Sequence, residues 1–190
     1  MSHAEASPSA WVRRFSALIV PGGTVLDLAC GRGRHARWLR SQCLSVVAVD
    51  RDEQALSILA HESGIEVRCA DLEDGSWPFA PASFDGLVVT NYLHRPLFPA
   101  LVDVLRPGGV LIYETFAVGH ERFGRPSNPA FLLRRDELLQ VFGAHQIVAF
   151  EQGEVRDPAP AVVQRICAVA GTPATGGTSV VTALPQTPLG

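Results

Sequence analysis

Short apolar runs and amphipathic stretches alternate along this chain. Trp11, Phe15, Leu18 and Ile19 recur at helical spacing behind Ser7-Pro8-Ser9, a helix start because proline is tolerated in a first turn. Pro21-Gly22-Gly23 stops that helix. Thr24 to Ala29 is an apolar run broken by one aspartate, the pattern of a buried strand. A glycine-rich loop follows, and Arg34 to Ser41 reads as a helix. Ser45 to Val49 predicts a second strand ended by Asp50, and Asp52 to His61 a helix with Ala55, Leu56, Leu59 and Ala60 as its apolar stripe. Ile65, Val67 and Cys69 alternate with Glu66 and Arg68, so this strand is wet on one side and belongs near a sheet edge. Asp85 to Thr90 is a further buried strand. Leu97, Leu101, Val104 and Leu105 form a helical face stopped by Pro107-Gly108-Gly109, and Val110 to Phe116 is a fifth strand.

Repeated strand–helix units of this kind predict an α/β fold, a doubly wound and mostly parallel sheet. Glu73 to Phe84 interrupts the rhythm with two prolines and reads as loop. Ala117 to Ala130 is a polar loop rich in Gly, Pro and Arg, longer than most connections within a domain. Arg135 to Phe142 then predicts a helix, and Gln146 to Phe150 with Val162 to Ala170 a closing antiparallel pair. The expected organisation is one domain over residues 1–170 and a disordered tail over 171–190, where Thr, Pro, Gly and Ser dominate.

Composition narrows the function classes. The 190 residues carry a net charge of −3, and all 16 basic residues are arginines. A non-specific nucleic-acid binder carries a basic excess, so nucleic acid is disfavoured as a partner. The longest apolar runs fall well short of the roughly 20 residues that a membrane span needs. Met1 to Pro8 lacks the order of a secretion signal. Cys30, Cys43, Cys69 and Cys167 are widely spaced and form no metal-ligand pattern, so no metal site is expected. These features predict a reduced, cytoplasmic protein without a membrane partner; they fix no oligomeric state.

The chemistry concentrates at strand ends. Asp27-Leu-Ala-Cys-Gly31-Arg-Gly33 closes the first strand, and glycines there let backbone approach a ligand. Gly31 to Ala36 also satisfies the loose dinucleotide pattern G-x-G-x-x-A, and a ligand-free tight turn is the competing reading. Asp50 ends the second strand, where a carboxylate accepts two hydrogen bonds from a ribose diol; its alternative is a helix cap, for which Asp52 competes. Asp71 ends the third strand, able to accept from an exocyclic amine while Leu72 packs on a purine face; its alternative is a turn acid. One acid per strand end, in order, is the pattern that carries weight.

These segments together resemble the class I S-adenosylmethionine-dependent methyltransferases over roughly residues 10 to 170. V-L-D-L-A-C-G-R-G resembles the family's first motif, V-V-A-V-D ends with the ribose-binding acid Asp50, and C-A-D-L resembles the adenine-contacting segment. F-D-G-L-V-V-T-N-Y-L-H and L-R-P-G-G-V-L-I-Y-E-T-F resemble the fourth-strand and fifth-strand segments. Asn91 to Leu139 also resembles a bacterial branch grouped with tellurite-resistance methyltransferases. The resemblance implies a Rossmann-like, seven-stranded sheet ending in an antiparallel hairpin. It implies S-adenosylmethionine as cofactor, with Gly31 and Gly33 passing its methionine part, Asp27 organising the loop and reaching the amino group through water, and Asn91 offering backbone nearby.

Methyl transfer needs a nucleophile held about 3 Å from the methyl in a dry site, and a base only if the nucleophile arrives protonated. Tyr92, His94, Arg95, Tyr113 and Glu114 are the candidates, with His94, Tyr92 and Glu114 foremost. His94 competes with a loop role, the tyrosines with packing, and Glu114 with pairing to an arginine. His120, Glu121, Arg122, Arg125 and Asn128 form a candidate lid. The favoured activity is metal-independent transfer to a small-molecule substrate. The alternatives are an RNA or protein methyltransferase, an NAD(P)-dependent oxidoreductase and a non-catalytic cofactor-binding module.

Overall fold

The computed structural model describes residues 7–171, so the tail expected at 171–190 lies outside the described residues apart from Gly171. Seven strands form one sheet: β1 (Thr24–Leu28), β2 (Ser45–Asp50), β3 (Ile65–Cys69), β4 (Phe84–Thr90), β5 (Leu105–Phe116), β6 (Gln146–Val155) and β7 (Ala161–Val169). Their order is β3-β2-β1-β4-β5-β7-β6. The first five run parallel, and β7 pairs antiparallel with both β5 and β6. The doubly wound sheet and its antiparallel end are therefore as the sequence predicts. Strand order reverses between β1 and β4, and open α/β sheets bind ligands at the carboxyl ends of the strands at such a point.

Because side chains alternate along a strand, each central strand feeds two apolar layers. Leu26, Leu28, Val47, Val49, Leu87, Val89, Leu111 and Tyr113 face one layer, shared with Leu101 of α4 (Phe98–Asp103) and with Leu138 and Phe142 of α5 (Glu137–Phe142). Val25, Val46, Ala48, Val88, Val110 and Ile112 face the other. That second layer is closed by α1 (Ala10–Phe15), α2 (Arg34–Ser41) and α3 (Glu53–Ser57) through Trp11, Phe15, Leu39 and Leu56. Trp11 is 3% exposed and donates its indole N–H to Ile166 O at 3.2 Å, so its burial contributes about 2–3 kcal/mol with no orphaned donor. Ser9 caps α1 by accepting from Trp11 N, so the helix starts at Ala10 and Pro8 lies before the cap rather than in the first turn.

Several boundaries move. β5 begins at Leu105 rather than Val110: Leu105 pairs with Phe84 across an irregularity, so the last apolar position assigned to the preceding helix belongs to the sheet. α3 ends at Ser57, four residues early, and the chain continues in turns. α5 starts at Glu137 because Asp136 takes a left-handed conformation (φ 57). β6 extends to Val155, held by nine residue pairs with β7. The long loop after β5 contains two single turns of 3-10 helix, His120–Arg122 and Pro129–Phe131.

Candidate active site

Asp27 sits four residues into β1, flanked in the sheet by Ala48 and Val88, and is 1% exposed. Ala36 N–H, in the first turn of α2, donates to its carboxylate. Oδ2 is buried and has no hydrogen-bond partner. Burial pushes this carboxyl up to about 7; Ala36 N–H and then Arg34 oppose the rise, and Asp50 adds to it.

Between β1 and α2 the chain must reverse in few residues, and it does so through left-handed backbone. Ala29 (φ 53), Gly31 (φ 55) and Gly33 (φ 79) all have positive φ. A Cβ on Gly33 would lie 2.4 Å from Leu59 Cδ2, whereas one on Gly31 would project into open space. Gly33 is thus needed for packing as well as conformation, and Gly31 leaves backbone bare on the side facing a ligand. Gly31 N–H donates to Asp50 Oδ2 at 2.7 Å, tying this loop to the end of β2. Asp50 Oδ1 accepts from Asp52 N at 3.0 Å. The helix cap is Asp52, whose carboxylate accepts from Ala55 N, so Asp50 is not the cap of α3.

A cavity of about 190 Å³ opens beside this loop. Asp50, Arg51, Asp71, Leu72, Glu73 and Tyr92 form its walls, with Ala29 and Ala70 beneath. Asp71 makes the turn contact that was its alternative role, Glu73 N donating to Oδ1 at 2.9 Å, and it also lines the cavity. Its Oδ2 lies 4.0 Å from Arg51 Nη1. Leu72 is 5% exposed and joins the core beneath. Pockets for drug-sized ligands measure roughly 300–1,000 Å³, so this cavity has the size of one part of such a ligand.

The foremost catalytic candidates separate spatially. Tyr92 lines the same cavity as Asp71; its hydroxyl hydrogen-bonds Glu73, and burial, reinforced by that carboxylate, holds the phenol above its ordinary range. His94 is half-buried where the chain enters the 3-10 turn Arg95–Leu97, and makes no side-chain hydrogen bond or ion pair with another described residue. Glu114 lies on β5 level with Thr90. Its Oε1 accepts from Ser9 Oγ at 2.9 Å, and Arg165 Nε approaches Oε2 at 2.6 Å as an unaligned charge contact. Pairing with an arginine, its alternative role, is what the fold contains. Asn91 is left-handed (φ 54), exposed at the end of β4, and its N–H is taken by Glu114 O at 2.9 Å.

Other candidates are absorbed by structure. Tyr113 is fully buried and donates its hydroxyl to Tyr92 O at 2.9 Å, bracing the turn after β4. Arg95 grips Glu137 with two hydrogen bonds of 2.7 and 2.9 Å and also donates to Ala130 O and Leu132 O. In the long loop, His120 is 5% exposed, stacks on Phe116 and bridges Val162 N to Arg125 O, so it staples the loop base. Arg122 pairs with Glu154, and Asn128 caps the following turn. The arginines of α2 are partly spoken for: Arg37 binds Glu62 and Arg32 O, and Arg40 donates to Ser63 O.

Sequence reasoning missed His35. It is 2% exposed, accepts Ser9 N–H at Nε2 (3.1 Å) and therefore presents Nδ1–H to Thr90 Oγ1 (3.2 Å). Burial, aided by Arg34, lowers it to about 3, so it is neutral at physiological pH. Arg51 and Glu73 were missed as cavity walls. None of the four cysteines is in a disulfide, and burial raises the Cys30 thiol, which favours its neutral form. Among the described residues, no helix is long and apolar enough to cross a membrane.

Comparison with known proteins adds an independent line. Residues 25–109 match a family model described as a methyltransferase domain. Over 101 residues, half of this chain, the sequence is 33% identical to a methyltransferase, AacuQ, of Aspergillus aculeatus, and the match covers 32% of that protein. The chain thus matches about a third of the length of that curated relative. In fold it is similar to TehB from Haemophilus influenzae, with a TM-score of 0.73 at 17% identity, covering 88% of this chain and 64% of that one. It is also similar to a SAM-dependent methyltransferase from Methanosarcina mazei, with a TM-score of 0.66 at 17% identity, covering 87% and 99%. The family model spans β1 to the Gly108-Gly109 turn, and so contains the glycine loop, all three strand-end acids and Asn91. Matched segment and strand order agree: residues 25–109 are similar to a methyltransferase domain, and the sheet as a whole has the fold seen in S-adenosylmethionine-dependent methyltransferases.

Proposed function

We propose that residues 1–170 act as one unit that transfers a methyl group from S-adenosylmethionine to a small-molecule acceptor without a metal ion. The observation that carries this reading is the pair of strand-end carboxylates Asp50 and Asp71 in the wall of one cavity, with Asp50 holding the glycine loop and Asp27 buried at the start of that loop with one oxygen unpartnered. The chemistry of these donors fits the cofactor. Asp50 is oriented by two backbone N–H groups and keeps lone pairs for a ribose diol. Asp71 is assigned the exocyclic amine of adenine and Leu72 its face, with Tyr92 as the opposing wall. Gly31, whose missing side chain leaves open space, is assigned to passing the methionine part and Gly33 to shaping that loop against Leu59, while Asn91 borders the methionine part and Asp27 Oδ2 accepts from its ammonium.

When bound, S-adenosylmethionine supplies a methyl group on a cationic sulfur. The chain's own share is to align the acceptor in line with that methyl and to exclude water. His94 is the residue we assign to proton removal from a protonated acceptor, since its imidazole makes no hydrogen bond or ion pair with another described residue and has a nitrogen able to accept a proton. Glu114, held by Arg165 and Ser9, is assigned to shaping the acceptor side. The loop 117–130 is assigned to covering the acceptor.

Incubation with methyl-labelled S-adenosylmethionine and separate pools of small hydroxy, amino, thiol and carboxylic acids, RNA and peptides tests this reading. Label in a small-molecule pool, retained in chelator, is expected. Label confined to RNA or peptide would overturn the acceptor class, and activity lost in chelator and restored by a divalent cation would overturn metal independence.

A further inference from the structure

The unpartnered oxygen of Asp27 has a consequence for how the site fills. Its carboxyl is 1% exposed, and one donor, Ala36 N–H, serves it. The neighbouring strand positions, Ala48 and Val88, carry no charge. Three further groups face it: Arg34 from α2, Asp50 from the end of β2, and the Cys30 thiol from the loop, itself neutral. Arg34 is half-buried and favours the ionised form; Asp50 and the dry surroundings disfavour it. A carboxylate buried with one lone oxygen and another carboxylate close by is costly to ionise, and taking up a proton relieves that cost.

We propose that cofactor binding to this chain is proton-coupled: Asp27 carries a proton in the empty site and loses it to solvent when the α-ammonium of the ligand occupies Oδ2. The inference rests on the cofactor assignment made above. The step balances: a neutral carboxylic acid and a free ammonium become a carboxylate–ammonium contact and one proton passed to buffer. The ammonium supplies both the hydrogen bond and the positive charge that the empty site lacks, so the ionised acid is the form that binds.

The sign follows. Burial raises Asp27 to about 7, so the empty site is mostly protonated at pH 6 and mostly ionised at pH 8. Proton release on binding is therefore close to one at pH 6, about one half at pH 7 and near zero at pH 8, and affinity weakens about tenfold from pH 8 to pH 6. S-adenosylhomocysteine carries the ammonium without the sulfonium, and methylthioadenosine lacks the amino-acid part altogether. Calorimetric titration of both, in phosphate and in Tris at each pH, reads the released proton directly from the difference in apparent heat.

S-adenosylhomocysteine is expected to show buffer-dependent heat that fades by pH 8, and methylthioadenosine none. Asp27→Asn should remove the pH dependence while keeping a polar group of the same shape; if that variant does not fold, the comparison of the two ligands on the unaltered chain decides alone. Equal heats in both buffers at pH 6 for S-adenosylhomocysteine, with saturable binding, would overturn the proton coupling and leave the cofactor assignment standing. Failure of both ligands to bind at any pH would instead overturn the assignment, and the coupling with it.

Discussion

Removing Arg95 tests whether this arginine builds the site or works in it. Its guanidinium is held by both oxygens of Glu137 and by two carbonyls of the long loop, so it joins the turn after β4 to α5 and to residues 130–132. The side chains of Arg95 and Glu137 are 27% and 11% exposed. Arg95→Ala leaves a nearly buried carboxylate with Arg134 N–H as its remaining donor and strips two carbonyls of their partner. Breaking a buried pair from one side costs about 3–5 kcal/mol, and partial exposure of Arg95 puts this case near the lower end, about 3 kcal/mol. For a chain of this size that corresponds to a fall in melting temperature of roughly 6–12 °C.

The pH dependence has a definite sign. Burial alone would raise Glu137, but Arg95 and Arg134 N–H together hold its carboxyl below the ordinary 4.5. A lowered carboxylate contributes stability above its unfolded value and loses it as pH falls through the folded one. The gap between the native chain and Arg95→Ala is thus full above about pH 4.5 and shrinks at lower pH. Thermal melts from pH 7 to pH 3.5 measure it. Arg95→Ala with Glu137→Gln should recover part of the loss, since the second change removes the stranded charge. A melting point within about 1 °C of native at pH 7 would refute the reasoning, as would a gap that widens in acid.

Gly33→Ala places a methyl against buried Leu59 at positive φ and should cost about 2–3 kcal/mol, whereas Gly31→Ala, facing open space, should cost about 1 kcal/mol; denaturant midpoints rank them. Reversal of that order would show that Leu59 yields freely. Tyr113→Phe removes one hydrogen bond to Tyr92 O and should lower stability by about 1 kcal/mol without changing cofactor affinity; a selective loss of turnover would mark the hydroxyl as catalytic.

Much of this architecture is legible in the sequence because each central strand is a short apolar run and each turn carries glycine or proline. The acids at Asp27, Asp50 and Asp71 are legible for the same reason: they are the polar interruptions at strand ends. What the sequence hides is partnership across distance. Glu114 meets Arg165 fifty-one positions on only because β5 and β7 pair antiparallel, and Arg95 meets Glu137 only because the loop after β5 folds back on α4 and α5. His35 carries no spacing signal, since its partners Ser9 and Thr90 come from α1's cap and the end of β4. Leu105 was misread because one apolar residue fits a helix face and a strand equally well.

The central claim is that this chain binds S-adenosylmethionine through its strand-end acids, and calorimetry on the native chain and Asp50→Ala tests it most directly. Saturable binding of S-adenosylmethionine and S-adenosylhomocysteine is expected, weakened at least tenfold by the substitution, with about 1.4 kcal/mol or more lost and the circular dichroism unchanged. Binding of NAD or NADP in place of the sulfur cofactors, or an affinity indifferent to Asp50, would contradict the account.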